Sequence, residues 1–288
     1  MVNRLTRKFP VNLLTYQPIT FYNMKILFGV IVATLIATSA IGQFKMAVSD
    51  DLRKAHDEYK VKGRQGILIN QKLSFGDFKT SVVKRSWTKG GTSHFGLGTG
   101  TPGRNDHTNI ISLDYVNRKQ TVYFNLTDEK GNNSEVFGAS KFHSKDLEIG
   151  NPNNIVNIAM DVLGVGGRSQ SNYYVQIYTA SGEQPWQMLI DNQAASAQPK
   201  KYTGLLAQDK DKYYTIVPVT KIEKKNGKIM NTLAGTIGFE FRNTKGVAVA
   251  AVSLIDNGMA FIGKTDDAER FLLANAAAAL LLQEAIDE

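Results

Sequence analysis

The run LAGTIGFEFRNTKGVAVAAVSLIDNGMAFI, residues 233–262, decides the fold class. Apolar and polar side chains alternate through 233–242, β-branched and apolar residues return at 247–255, and a third short run follows at 259–262. A repeat of two marks a half-buried strand, because successive side chains of extended backbone point to opposite faces. Between the second and third runs stands Asn257-Gly258, a pair that tolerates positive φ at both positions of a tight hairpin turn. Strands joined in this way run antiparallel.

The same pattern extends back along the chain. Further strands are expected at 66–70, 73–87 with a break near Gly76, 109–116, 120–126, 135–142, 155–163, 173–179, 186–191 and 213–223, giving about twelve in all. Asn226-Gly227 is a second hairpin dipeptide, and the polar tips 128–133 and 179–182 serve the same purpose. Parallel pairing would need a crossover helix between strands, and the intervening segments show no such periodicity. The expectation is a mainly β protein, an antiparallel β-sandwich or partly closed barrel.

Helix is expected at two places. SDDLRKAHDEYK, residues 49–60, has Ser49 to cap it and Asp50 and Asp51 at the positive end of its dipole. DDAERFLLANAAAALLLQEAI, residues 266–286, is rich in Ala and Leu, with Thr265 as its cap. From Phe271 to Leu282 only Asn275 is polar, so this helix is apolar on nearly every side. Such a helix needs cover, which the sheet or a partner chain would supply. The organisation expected is a leader at 1–42, a polar segment at 43–65, a β domain at 66–264 and the helix at 265–288. The polar stretches 144–154 and 192–201 would be the boundaries if the β part were two small units.

The 288 residues are 42% hydrophobic and 21% charged, with 25 Gly, 7 Pro and no Cys. This composition excludes a disordered chain, a collagen and a disulfide scaffold, and the absence of Cys removes thiol nucleophiles, iron–sulfur ligation and Cys-based zinc sites. ILFGVIVATLIATSAI, residues 26–41, follows Lys25 and ends in small residues, with Ala40 and Gly42 at minus three and minus one to a cut before Gln43. That is the layout of a signal peptide, and Met24 would be its natural start. The competing reading is an uncleaved inner-membrane anchor at 26–42. Removing the leader takes Arg4, Arg7, Lys8 and Lys25 and no acid, so the charge falls from +8 to +4. A mildly basic exported protein is expected to meet anionic surfaces. The densest basic stretch, KIEKKNGK at 221–228, reads as a solvated hairpin tip, and no nucleic-acid partner is expected.

Several stretches resemble catalytic motifs. Gly258 to Thr265 fits G-x-x-x-x-G-K-[ST], but the apolar Met259, Ala260, Phe261 and Ile262 suit a buried strand better than a loop wrapped round phosphate, so the preferred reading is a hairpin leading to a capped helix. Gly98 to Gly103 fits G-x-G-x-x-G without a βαβ unit around it. Ser81 and Lys84 fit S-x-x-K, yet strand alternation would place them on opposite sides. The glycine-rich segment 89–108 carries His94, Phe95, Arg104, Asp106 and His107, and long loops on rigid sheets are where ligand and partner contacts concentrate. Asp161, Glu183, Asp191, Glu240 and Asp256 are the carboxylates from which a glycosidase pair would be drawn. Trp87, Tyr115, Tyr123, Tyr173, Tyr174, Trp186, Tyr202, Tyr213 and Tyr214 would either pack the sheet or form a platform for sugar or peptide. The expectation is an exported β protein without cofactor or metal, binding or scaffolding through its loops, with a glycan, a peptide or another envelope protein as partner. A hydrolase of envelope polymers and a carrier of an apolar ligand are the alternatives.

Overall fold

The structure, a computed structural model, describes residues 44–64, 71–87, 120–142, 155–163, 172–179, 184–233 and 235–283. Its first part contains β1 (Lys45–Met46), α1 (Asp50–Lys54), β2 (His56–Lys60), β3 (Ser74–Phe75), β4 (Phe78–Trp87), β5 (Gln120–Thr127) and β6 (Asn133–Phe142). Next come α2 (Ile155–Leu163), β7 (Asn172–Thr179), β8 (Trp186–Asp191), α3 (Asn192–Ala197), β9 (Gly204–Ala207) and β10 (Tyr213–Val219). The last part holds β11 (Lys221–Glu223), β12 (Ile229–Asn231), β13 (Gly238–Arg242), β14 (Ala248–Ser253), β15 (Met259–Gly263) and α4 (Asp267–Leu282). The predicted leader, the strands at 66–70 and 109–116 and the 89–108 segment lie outside the described residues.

Twelve strands form one antiparallel sheet in the order β2-β15-β14-β13-β10-β9-β8-β7-β6-β5-β4-β3. Its two edges meet: Lys62, just beyond β2, and Ser74 of β3 exchange both backbone hydrogen bonds, at 2.9 and 3.0 Å. A nearly closed barrel results, and among the described residues this bridge is its seam. A smaller sheet, β1-β11-β12, rises from one rim where β10 and β13 continue past Thr220 and Thr232.

The terminal helix lies inside the barrel. All twelve residues from Phe271 to Leu282 are buried, and α4 touches β6 and β7 as well as β14 and β15, which stand far apart in the strand order. One continuous core joins it to inward side chains from around the wall, among them Phe78, Phe124, Val136, Ile177, Met188, Ile216, Phe241, Val252 and Ile262. A helix without a polar face is stable in water only when surrounded, and the barrel surrounds it. Its one polar residue in that run, Asn275, accepts from the Ser134 hydroxyl at 2.5 Å and donates to the Phe271 carbonyl at 2.8 Å, so its burial strands neither amide group. Tyr173 of β7 donates to the Ala279 carbonyl at 2.9 Å. At the far end Arg64 donates to the Leu281 carbonyl and to those of Leu254 and Asp256, clamping the helix C-terminus to the β14–β15 turn.

At the helix N-terminus a bidentate pair binds Arg270 to Asp77, at 2.9 and 3.0 Å, while Arg270 also donates to the Tyr59 hydroxyl and lies over the Phe78 ring at 4.8 Å. Hydrogen bonding from Arg270 holds the Asp77 carboxyl below its ordinary value of 3.8. A carboxyl depressed in the folded state adds stability above the unfolded value and loses it as pH falls through the folded value. Asp77→Asn is therefore expected to lower stability by about 1–2 kcal/mol at pH 7. In urea melts the gap should close towards pH 2; a gap that persists there would contradict the assignment.

Two elements cover parts of the outer wall. Ile155, Val156, Ile158 and Ala159 of α2 pack on Tyr174, Leu189, Leu205 and Ala207. Met46, Val48 and Leu52 pack on Val219, Ala248, Ala251 and Phe261.

Sequence reading needs correction at four points. Residues 155–163 are helix rather than strand, since a short apolar run does not by itself distinguish the two. The helix expected at 49–60 stops at Lys54, and His56–Lys60 is a barrel strand paired with β15, which places part of the 43–65 segment inside the β domain. The cap of α4 is Asp266, whose carboxylate accepts from the Glu269 amide at 2.8 Å, rather than Thr265. Finally, Ser81 and Lys84 share a face. They pair with Asn125 and Tyr123, two residues apart on β5, because a bulge with Val82 at φ 49° inserts an extra residue between them.

Candidate functional site

The barrel's connections are unequal, and topology sorts them. At the rim where α4 begins, the links are short: Gly76–Asp77, residues 128–132, 180–185, 208–212 and 243–247. At the opposite rim, β4 ends at Trp87 opposite Gln120, so residues 88–119 start and finish there. Likewise Phe142 pairs with Asn172, which brings both ends of 143–171, with α2 between them, to that rim. The α3 connection and the β11–β12 ribbon emerge on the same side. His94, Phe95, Arg104, Asp106 and His107 therefore belong to a connection anchored at this rim, though they themselves lie outside the described residues, as does the G-x-G-x-x-G match.

The outer wall of β4–β7 carries a row of aromatic rings that the interior does not use, running from Tyr123 in mid-wall to Tyr178 near the short-link rim. Tyr123 and Phe137 are 4.7 Å apart between ring centroids, and Phe137 meets Tyr178 edge-on at 5.9 Å. The Lys84 ammonium stands 6.0 Å from the Tyr123 ring centre, held on this face by the Val82 bulge. Tyr123 donates to the Asn125 amide oxygen at 3.0 Å and Tyr178 to that of Gln176 at 3.2 Å. Burial, with the Glu135 carboxylate as a further cause, pushes both phenols above their ordinary value. Phe137 is itself buried, so the row offers the half-buried Tyr123 and Tyr178 rings with amides, a cation and a carboxylate on one stretch of rigid strand, a mixture that suits polar ligands with apolar faces. Sequence reading named Tyr123 but not Phe137 or Tyr178; the strand register that joins them is what it lacked.

Most of the other aromatics have structural work. Tyr173 and Tyr202 face the core, Trp186 and Tyr214 stack at 5.7 Å against it, and Tyr174 and Tyr213 lie under α2. Burial drives the Tyr174, Tyr202 and Tyr214 phenols strongly upward, so they stay neutral in the folded protein. Tyr115 and the side chain of Trp87 are outside the described residues.

The carboxylates are dispersed. Asp161 is exposed on α2, Asp191 caps α3 through the Ala194 amide, and Asp256 sits in the β14–β15 turn. Glu240, buried on β13, accepts from the Ser49 amide at 2.6 Å and from Arg242 at 3.0 Å. Glu183 is outside the described residues. Among the described residues, no group of three or more His, Asp or Glu side chains is gathered in a way that would hold a metal ion. The G-x-x-x-x-G-K-[ST] residues are strand: Ala260, Phe261, Ile262 and Gly263 are buried in β15, and this stretch forms no phosphate loop. No described helix is long and apolar enough to cross a membrane. The chain matches no protein-family model, no curated protein and no solved structure.

Proposed function

We propose that the protein is an exported, non-enzymatic binding module of the cell envelope or the exterior, with its contacts on the long-connection rim and on the aromatic row of the β4–β7 outer wall. The observation that carries this reading is the asymmetry between the two rims of a barrel whose inside is already full. A scaffold made rigid by its own plug can hold variable segments at one end without depending on them for stability. In the carrier alternative, an apolar ligand would need the space that α4 occupies. In the hydrolase alternative, acid and base groups would converge in one cleft, whereas Asp191 is taken up in capping α3 and Glu240 in binding the Ser49 amide and Arg242. Export is inferred from the 24–42 sequence alone.

Expression in a Gram-negative host tests the reading. The expected product is a periplasmic or secreted chain whose measured mass corresponds to a start at Gln43, able to sediment with isolated envelope polymers. Tyr123→Ala with Tyr178→Ala should weaken that retention while leaving the melting temperature within a few degrees. A cytoplasmic chain with its leader intact would overturn export. Turnover of the polymer that His94→Ala or His107→Ala abolishes would overturn the non-enzymatic assignment.

A further inference from the structure

The β1-β11-β12 ribbon rests on the barrel's outer wall through Met46 and Ile222, and its β11–β12 end presents a distinct surface. Its tip, the turn Lys224–Lys228, is closed by backbone bonds between Lys224 and Lys228, and Lys221 and Lys225 add further charge. The acid within it, Glu223, is matched by Arg53 at 3.4 Å, and Lys45 is paired with Glu58. Lys221, Lys224, Lys225 and Lys228 thus form a cationic cluster with its local acid already partnered. Beside them the apolar residues are exposed: Ile229 at 43%, Met230 at 40% and Leu233 fully. A leucine open to water beside exposed isoleucine and methionine is not the composition of a merely solvated turn.

We propose that this ribbon seats the protein on an anionic lipid bilayer. The lysines beside the apolar residues favour an anionic bilayer over a protein partner. Ile229 and Met230 adjoin the lysine-bearing turn and both are exposed, although Ile222, on the face of Met230, rests on the barrel wall. The interfacial zone of a membrane takes exposed apolar residues inward while neighbouring lysines meet the headgroups. The proposal deepens the envelope-binding reading by naming a surface and a partner chemistry.

The test uses the chain from Gln43, whose barrel carries its own core, and sedimentation with phosphatidylcholine vesicles made with and without phosphatidylglycerol. Binding is expected only with the anionic lipid. Lys224→Ala, Lys225→Ala and Lys228→Ala together should weaken it on the order of 100-fold, at about 1 kcal/mol per surface lysine. Ile229→Ser, Met230→Ser and Leu233→Ser should abolish whatever binding survives near 1 M salt, where screening acts within about 3 Å. Both sets are surface changes, and unchanged thermal melts identify folded variants. Absence of binding to anionic vesicles, equal binding by the lysine variant, or a concentration-dependent dimer in its place would overturn the proposal. Export is read separately from the N-terminal mass, so failure here leaves that reading intact.

Discussion

A chain that stops at Thr265 is expected not to fold. Without α4 the wall would enclose a void lined by Phe78, Phe124, Ile216, Phe241 and the other inward residues, whose apolar contacts are made largely to the helix and to one another across it. Burying a Leu or Phe side chain contributes about 1.5–3 kcal/mol, and α4 contributes Phe271, Leu272, Leu273, Leu280, Leu281 and Leu282, so the loss, about 9–18 kcal/mol, is as large as the entire stability of an ordinary domain. Circular dichroism should show no cooperative melt, and a hydrophobic dye should bind. A graded version keeps the expectation quantitative: Leu273→Ala, at a position with no exposure, should cost about 2–5 kcal/mol and remain measurable by urea titration. A truncated chain that melts cooperatively would show that the wall stands by itself.

The second large effect is expected at Gly138, in the middle of β6. A Cβ there would lie 2.7 Å from the Tyr173 hydroxyl and 2.8 Å from a Val122 methyl carbon, closer than atoms in folded proteins come. Tyr173 is also the strand residue that donates to Ala279 inside the barrel. Gly138→Val must then push the ring off the helix, combining overpacking of about 1–3 kcal/mol with loss of a buried hydrogen bond of about 1–2 kcal/mol. The coupling can be read directly. Gly138→Ala should cost less in a Tyr173→Phe background than in the parent, because removing the hydroxyl clears the tightest contact. Equal costs in the two backgrounds would show that Tyr173 is not what Gly138 makes room for.

Why the strands were legible and their closure was not follows from the same residues. Phe239, Glu240, Phe241 and Arg242 write their alternation locally, and Asn257-Gly258 marks the turn between β14 and antiparallel β15, although the left-handed residues there are Asp256 at φ 52° and Gly258 at φ 88° rather than Asn257 and Gly258. The helix was legible because twelve apolar residues in a row admit few other structures. The seam between Lys62 and Ser74 rests on backbone atoms, and backbone bonding between distant segments leaves no mark in side-chain type. For the same reason β2 was missed: His56–Lys60, HDEYK, carries the charges of an edge, and only its pairing with β15 makes it wall. Ile155–Leu163 misled because its apolar residues face the outer wall as a lid, a relation fixed by β7 and β9 rather than by its own sequence. Of the candidate contacts, Tyr123 was visible as an aromatic on a strand, while Phe137 and Tyr178 joined it through register.

The placement of the plug has a consequence for how this protein is made. Of the described elements, α4 is the last to leave the ribosome, and the strands it holds together span residues 56 to 263. A nascent chain that has yet to deliver this segment has no interior to collapse around, so its ribbons remain unassembled however long synthesis takes. Folding then waits for α4 to emerge, and a polypeptide of this design stays pliable until the turns of that helix are free.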